Sequence, residues 1–224
     1  MIHLPSLIVI LTKHDAYESV EQNDYMDAVS SFALASGLSW ASGFRLYATL
    51  CVVGLLGYFD YVQLPSGLAV LSHPLVISVA GILMIVEFLA DKIPYTDSAW
   101  DAIQTFVRIP AGALLAMGAM QSTDPIIVML AGLLGGSLAG VTHATKAGSR
   151  ALINTSPEPV SNVAASFGED GLWLGGGWLA LAHPVVFISV LTLLILVMLW
   201  MLPKLWRGIR LVLHHVMRVL GVNA

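Results

Sequence analysis

Five stretches of this chain are apolar for the length that a helix needs to cross a bilayer, about 20 residues. They lie within Asp27–Phe59, Leu68–Ala90, Ala102–Met120, Pro125–Asn154 and Gly171–Leu202. In lipid every backbone N–H and C=O must be satisfied internally, so such runs fold as helices. The expected architecture is therefore all-α: a polytopic membrane helix bundle with about five spanning helices. The first, fourth and fifth runs exceed one span and must tilt, break or project.

Composition agrees. Hydrophobic residues make up 57% of the 224 and charged residues only 11%, against about 25% in an ordinary soluble domain. The mean hydropathy is +0.83. The net charge of −4 is too small to identify a partner. Basic residues are too few and scattered for nucleic-acid binding. The single cysteine, Cys51, cannot form an internal disulfide and reads as a small packed side chain.

Both ends differ from the middle. Residues 1–25 hold only a short apolar stretch, Leu4–Leu11, too short to span, and then "KHDAYESVEQND". They are expected to form a loose tail, with Met26 as an alternative start, and they lack the signal-peptide pattern. After Pro203, Lys204, Arg207, Arg210, His214 and Arg218 fall near one helical face, opposite Leu205, Trp206, Ile209, Val212, Leu213 and Val216. Residues 204–224 thus read as a basic amphipathic interfacial helix with its tail.

The chain also echoes itself. "LSHPLV" at Leu71–Val76 returns as "LAHPVV" at Leu181–Val186, and "ASGFRL" at Ala41–Leu46 returns as "KAGSRA" at Lys146–Ala151. A unit of about three segments (26–120 and 125–220) would repeat with inverted orientation, a frequent build for transporters. His73 and His183 precede prolines and mark helix starts or kinks. No Cys, His and carboxylate spacing suits a metal, and no cofactor is expected.

Charge is concentrated in few places. In "VEFLADKIPYTDSAWDAIQTFVRIPAG", Glu87 and Asp91 stand one turn apart, followed by Lys92 and Asp97. Pro94 is expected to stop the second helix. Ser98 and Asp101 have capping-box spacing. Asp101, Gln104 and Arg108 share one face. The fourth run carries a glycine ladder, Gly132, Gly136 and Gly140, suited to close helix packing. It continues to His143, Lys146, Arg150 and Asn154 on one side of the helix, with Pro157 and Pro159 expected to end it. Asn154 also begins a glycosylation sequon, which is set aside. Ser166 and Glu169 have capping-box spacing, which makes Glu169 a helix cap before the fifth span. Arg45 and Tyr47 lie deep in the first run, and Arg45 needs a carboxylate from elsewhere in the chain. Ionisable groups inside a membrane are costly and usually face a protein interior or aqueous cavity. Arg45, Tyr47, Glu87, Asp91, Lys92, Asp97, Asp101, Arg108, His143, Lys146, Arg150 and Asn154 are therefore expected to meet in a shared polar interior.

The stretches "ASGFRLY", "VEFLADKIPYTDSAWDAIQTFVRIPAGALL", "HATKAGSRALINTSPEPVSN" and "GEDGLWLG…LALAHP" resemble a family of bacterial integral membrane proteins known only as domain of unknown function 4126. The resemblance covers nearly all of the chain after Met26. It implies a multi-pass protein of the bacterial inner membrane and no particular activity.

Three functions compete on the residues alone. A small permease or channel would use Arg45, Lys146 and Arg150 to hold an anionic or phosphate-bearing solute or lipid head group, with Glu87, Asp91 or Asp101 carrying a proton or balancing charge. A scaffold or assembly factor would use the same groups to tie helices together. An intramembrane enzyme is disfavoured, because neither a nucleophile elbow nor a zinc-protease motif occurs. The expected partners are the lipid bilayer and an anionic small solute, with a homo-oligomer left open.

Overall fold

The computed structural model describes residues 4–93, 95–120, 124–155 and 159–219, with side chains described from residue 28 onward except 159, 216 and 219. All its regular elements are helical: α1 (Leu4–Tyr58), a 3-10 turn (Ser66–Ser72), α2 (Pro74–Ala90), α3 (Thr96–Ala119), α4 (Pro125–Ile153), α5 (Pro159–Ala182) and α6 (Pro184–Val219). Four helices begin on proline, whose missing N–H is one that the first turn leaves unpaired anyway. His73 Nδ1 accepts the Leu75 N–H (3.2 Å), and Asp124 Oδ1 accepts the Ile126 N–H (2.8 Å), so side chains cap α2 and α4.

Among the described residues, four segments are long and apolar enough to cross a membrane: Ala28–Tyr58, Thr96–Ala119, Pro125–Ile153 and Pro184–His215. The 3-10 turn and α2 together form a fifth, bent by 69° at His73. The expected fifth run, Gly171–Leu202, is divided. Residues up to Ala182 belong to α5, and Pro184 starts α6, because proline disfavours helical backbone at the residue before it. His73 and His183 thus both stand at helix starts. Pro159 opens α5 rather than closing α4, which ends at Ile153 with Asn154 as its C-cap. The expected stops at Pro94 and Pro157 lie outside the described residues. The basic segment after Pro203 continues α6 to Val219; Lys204 Nζ lies 2.9 Å from the Trp200 ring centroid, an aromatic–basic pairing of the sort found at membrane interfaces. The expected boundary at Met26 falls where side chains are not described, although the α1 backbone is helical from Leu4.

α1 touches every other helix and is broken inside its apolar run. Arg45 has φ −142° and ψ 86°, which interrupts the helical ladder. The sequence prepares the break. Ser42 and Gly43 form a kink-prone pair, and Ser42 Oγ donates to the Ser39 carbonyl (2.7 Å), competing with the ladder.

Burial is inverted relative to a water-soluble domain. Leucines, isoleucines and valines along α2, α4 and α6 are exposed, while Glu87, Asp91, Asp97, Arg108 and Arg150 have no accessible surface. Away from these charges, one apolar cluster joins Trp40 and Phe44 to Phe187, Leu191 and Met198. A second joins Ala35 and Leu38 to Leu68, Leu71, Leu115 and Ala119.

Candidate functional site: a buried charge network

The break at Arg45 and the charged ends of α2, α3 and α4 meet. Interrupting a helix frees carbonyls in the turn before the interruption. Here Gly43 O accepts from Arg108 Nη1 (3.1 Å) and Phe44 O from Lys146 Nζ (3.1 Å). Cations from α3 and α4 therefore cap the first half of α1, where the helix dipole favours positive charge. The second half starts with Thr49 Oγ1 donating to the Arg45 carbonyl (2.7 Å).

Each of these cations is also paired. Arg108 Nη2 reaches Glu87 Oε1 at 2.6 Å, and its Nη1 lies 3.3 Å from Asp101 Oδ1. Lys146 Nζ is 2.7 Å from Asp91 Oδ2 and 3.7 Å from Asp101 Oδ1. Arg45 Nη1 is 3.1 Å from Asp91 Oδ2, and its Nε pairs with Asp170. Arg150 makes a two-pronged pair with Glu169, Nε–Oε1 at 3.1 Å and Nη2–Oε2 at 2.8 Å. Its Nη1 donates to Asn162 O (2.8 Å) and also to the Asn162 side-chain oxygen. Asn154 Nδ2 donates to Asp97 Oδ1 (2.7 Å) and Ser98 Oγ (2.9 Å). From Asp97 in the first turn of α3 to Arg108 is eleven residues, about 16 Å along the axis, so the network reaches well into the bundle.

Two groups just beyond α2 show how the network sets protonation. Burial raises the Asp91 pKa, but Lys146 and then Arg45 outweigh burial and hold the carboxyl below its usual range. Burial lowers the Lys92 ammonium, and Asp170 offsets this only in part. Lys92 sits 3.2 Å from the Phe88 ring centroid and 5.0 Å from that of Phe167. Its Nζ approaches Asp170 Oδ2 to 4.0 Å, at the network's partly exposed edge.

Every residue expected in the polar interior is placed in or against this network. Tyr47 joins at its side, where its hydroxyl accepts from Gln104 Nε2 (3.1 Å). The expected capping roles give way. The residue before α3 is Tyr95, with no side-chain cap; Asp97 Oδ1 takes the Ser98 N–H (2.6 Å), and Asp101 faces the cations instead. Glu169 is no cap, because α5 already starts at Pro159 and Glu169 lies in its middle, paired with Arg150. Sequence reasoning missed the α5 contribution of Asn162, Ser166, Glu169 and Asp170. Their i, i+4, i+7, i+8 spacing was the available signal for one helical face. Among the described residues no group of three or more His, Cys, Asp or Glu could hold a metal ion.

The family described as a domain of unknown function, DUF4126, matches residues 32–204. The chain belongs to this family. No curated protein and no solved structure matches it. The DUF4126 match ends just after Pro203 and starts inside the first apolar helix, so it contains every charged residue of the network.

Proposed function

We propose that this DUF4126 protein is a small, non-enzymatic membrane permease for an anionic solute or lipid head group. Arg45, Lys146 and Arg150 receive the phosphate or carboxylate. The observation that carries the reading is the position of α5. Its adjacent carboxylates Glu169 and Asp170 sit on Arg150 and Arg45, the two arginines that the internal sequence echo pairs. α5 thus occupies with its own anions a site that a solute anion could take, since guanidinium favours carboxylate and phosphate alike. The same helix is not among the segments long and apolar enough to span. Among the described residues, Cβ atoms built on Gly168, Gly171, Gly175 and Gly177 would meet nothing within 4 Å, whereas one on Gly176 would fall on the Trp40 ring; one face of α5 is thus open and the other packs on α1. A broken helix with cation-capped carbonyls inside a span is a further feature of transporter sites, and the three-segment repeat belongs to the same reading. In proteoliposomes, uptake of radiolabelled inorganic phosphate or of small carboxylates is expected, with Arg150→Ala abolishing it and Glu169→Gln altering its affinity. Absence of uptake for every probe would refute the reading.

One observation favours a second reading, a non-transporting scaffold. Two cavities, of about 350 and 250 Å³, are walled by apolar side chains such as Leu130, Leu134 and Ile195 in one and Leu34, Val53 and Trp178 in the other. No charged side chain of the network lines either. On that reading the ion pairs are structural ties, and a partner would be recovered by pull-down from membranes that show no flux.

A further inference from the structure

The network is unevenly satisfied, and one member stands apart. Glu87 has Arg108, Asp91 has Lys146 and Arg45, Glu169 has Arg150 and Asp170 has Arg45. Asp97 lies farther from its cation, Arg150 (3.8 Å), but accepts from Ser98 N and Asn154 Nδ2. Asp101 is 1% exposed, and neither of its carboxyl oxygens has a hydrogen-bond partner among the described residues. Its two nearest cations, at 3.3 and 3.7 Å, are committed elsewhere. Arg108 Nη1 is bound to Gly43 O and His143, and Lys146 Nζ to Asp91 and Phe44 O.

The charge balance points the same way. Those six carboxylates face five cations: Arg45, Lys92, Arg108, Lys146 and Arg150. His143 does not supply a sixth. Its Nδ1 lies 3.0 Å from Arg108 Nη1 and must accept. Its Nε2 then carries the hydrogen, shared by Thr105 Oγ1 (2.8 Å) and the Asp101 carbonyl (3.1 Å). A charged imidazolium would set two N–H donors face to face. One carboxylate is thus left in excess, and Asp101, buried and without hydrogen bonds among the described residues, stands where an unpaired charge is most costly.

We propose that Asp101 is the binding site for one exchangeable proton, the coupling ion of the permease. A metal cation does not suit the place, because Arg108 and Lys146 already stand against Oδ1; a proton adds no bulk and turns the carboxyl into a donor. Acceptors are present in the same network, since Glu87 Oε2, Asp91 Oδ1 and Gln104 Oε1 are buried without hydrogen-bond partners among the described residues. When α5 withdraws Glu169 and Asp170, Arg150 and Arg45 lose those anions. Lys146, which spans Asp91, Asp101 and Glu169, is then free to turn to the Asp101 carboxylate, whose proton passes to water entering the place α5 leaves.

This inference rests on the permease reading, but its test does not need a solute. Infrared difference spectroscopy of the purified protein in lipid at neutral pH should show the C=O band of one protonated carboxyl. Asp101→Asn should remove that band, Asp101→Glu should shift it, and Asp97→Asn should leave it in place, with helix content by circular dichroism unchanged in each. Adding sodium or potassium chloride at constant pH should leave it unaltered. Absence of the band in the wild type, its persistence in Asp101→Asn, or its loss on adding either salt would overturn the proposal. A band that follows Asp101 in a protein without flux keeps the proton site and discards the permease.

Discussion

The antiparallel pair α3–α4 is held in two different ways along its length. At one end, Asp101 and Arg108 of α3 meet His143 and Lys146 of α4 through ions and hydrogen bonds. At the other, Gly112–Ala119 meets Gly132–Ala139 through backbone proximity. A Cβ on Gly132 would come within 2.8 Å of Met117, and one on Gly136 within 3.2 Å of Ala113. Ser39 Oγ ties α1 into this half by donating to Gly112 O (3.0 Å). In lipid, packing of small residues drives helix association because the hydrophobic effect between helices is absent. The charged half is sensitive to what is removed, and the glycine half to what is added.

The largest expected effect comes from removing a hub. Arg108→Ala leaves Glu87 buried without its cation and uncaps Gly43 O. Breaking a buried pair from one side costs about 3–5 kcal/mol, to be read from chemical unfolding in mixed micelles. Arg108→Lys should recover only part of this, because an ammonium lacks the planar fork that serves Glu87, Gly43 and His143 together. A loss below 1 kcal/mol in Arg108→Ala would mean that the charged half contributes little to holding the bundle.

Acid should weaken the same half. The Asp91 carboxyl is held below its ordinary 3.8, so its contribution to stability is complete above the unfolded value. It is lost as the pH falls through the lower folded value. The gap between wild type and Asp91→Asn, about 3 kcal/mol at neutral pH if the variant breaks the pair from one side, should narrow below about pH 4. A gap that widens with acid would reverse the assigned direction.

In the glycine half the perturbation is bulk. A Cβ on Gly135 would lie 2.7 Å from Ser39 Oγ and 2.9 Å from Gly112 O, so Gly135→Leu must part α1, α3 and α4. Overpacking of this kind costs about 1–3 kcal/mol. The same unfolding assay checks it, and a neutral result would show that the three helices are not in close contact.

The sequence carried these two halves unequally. Small residues at four-residue spacing are a local signal, so the close-packing face of α4 could be read directly. Arg45, Glu87 and Arg108 could be singled out because ionisable groups inside apolar runs need partners. The partners themselves are fixed by tertiary placement, which no local spacing encodes. One choice between equally local readings failed. Ser166 and Glu169 have capping-box spacing, yet Pro159 starts α5 earlier, so the same residues fall on a helix face. The run Gly171–Leu202, too long for one span, breaks at Pro184, where the His-Pro pair marked a helix start. The break at Arg45 rests on Ser42–Gly43, a pair that also occurs in straight helices; what holds it open is Arg108 and Lys146, from elsewhere in the chain.

The smallest effect separates glycines that are packed against from glycines that are not. Gly168, in the middle of α5, has nothing among the described residues within 4 Å of the position its Cβ would take. Alanine there meets no clash and restrains the unfolded chain, so Gly168→Ala should stabilise by about 0.5–1 kcal/mol, opposite in sign to Gly135→Leu. If α5 moves during transport, the stiffer helix should also slow uptake without changing its affinity for the solute. Destabilisation by Gly168→Ala in lipid, but not in dilute detergent, would show that another chain packs on this face. The open side of α5 would then belong to an interface, and its freedom to withdraw Glu169 and Asp170 from the arginines would be lost.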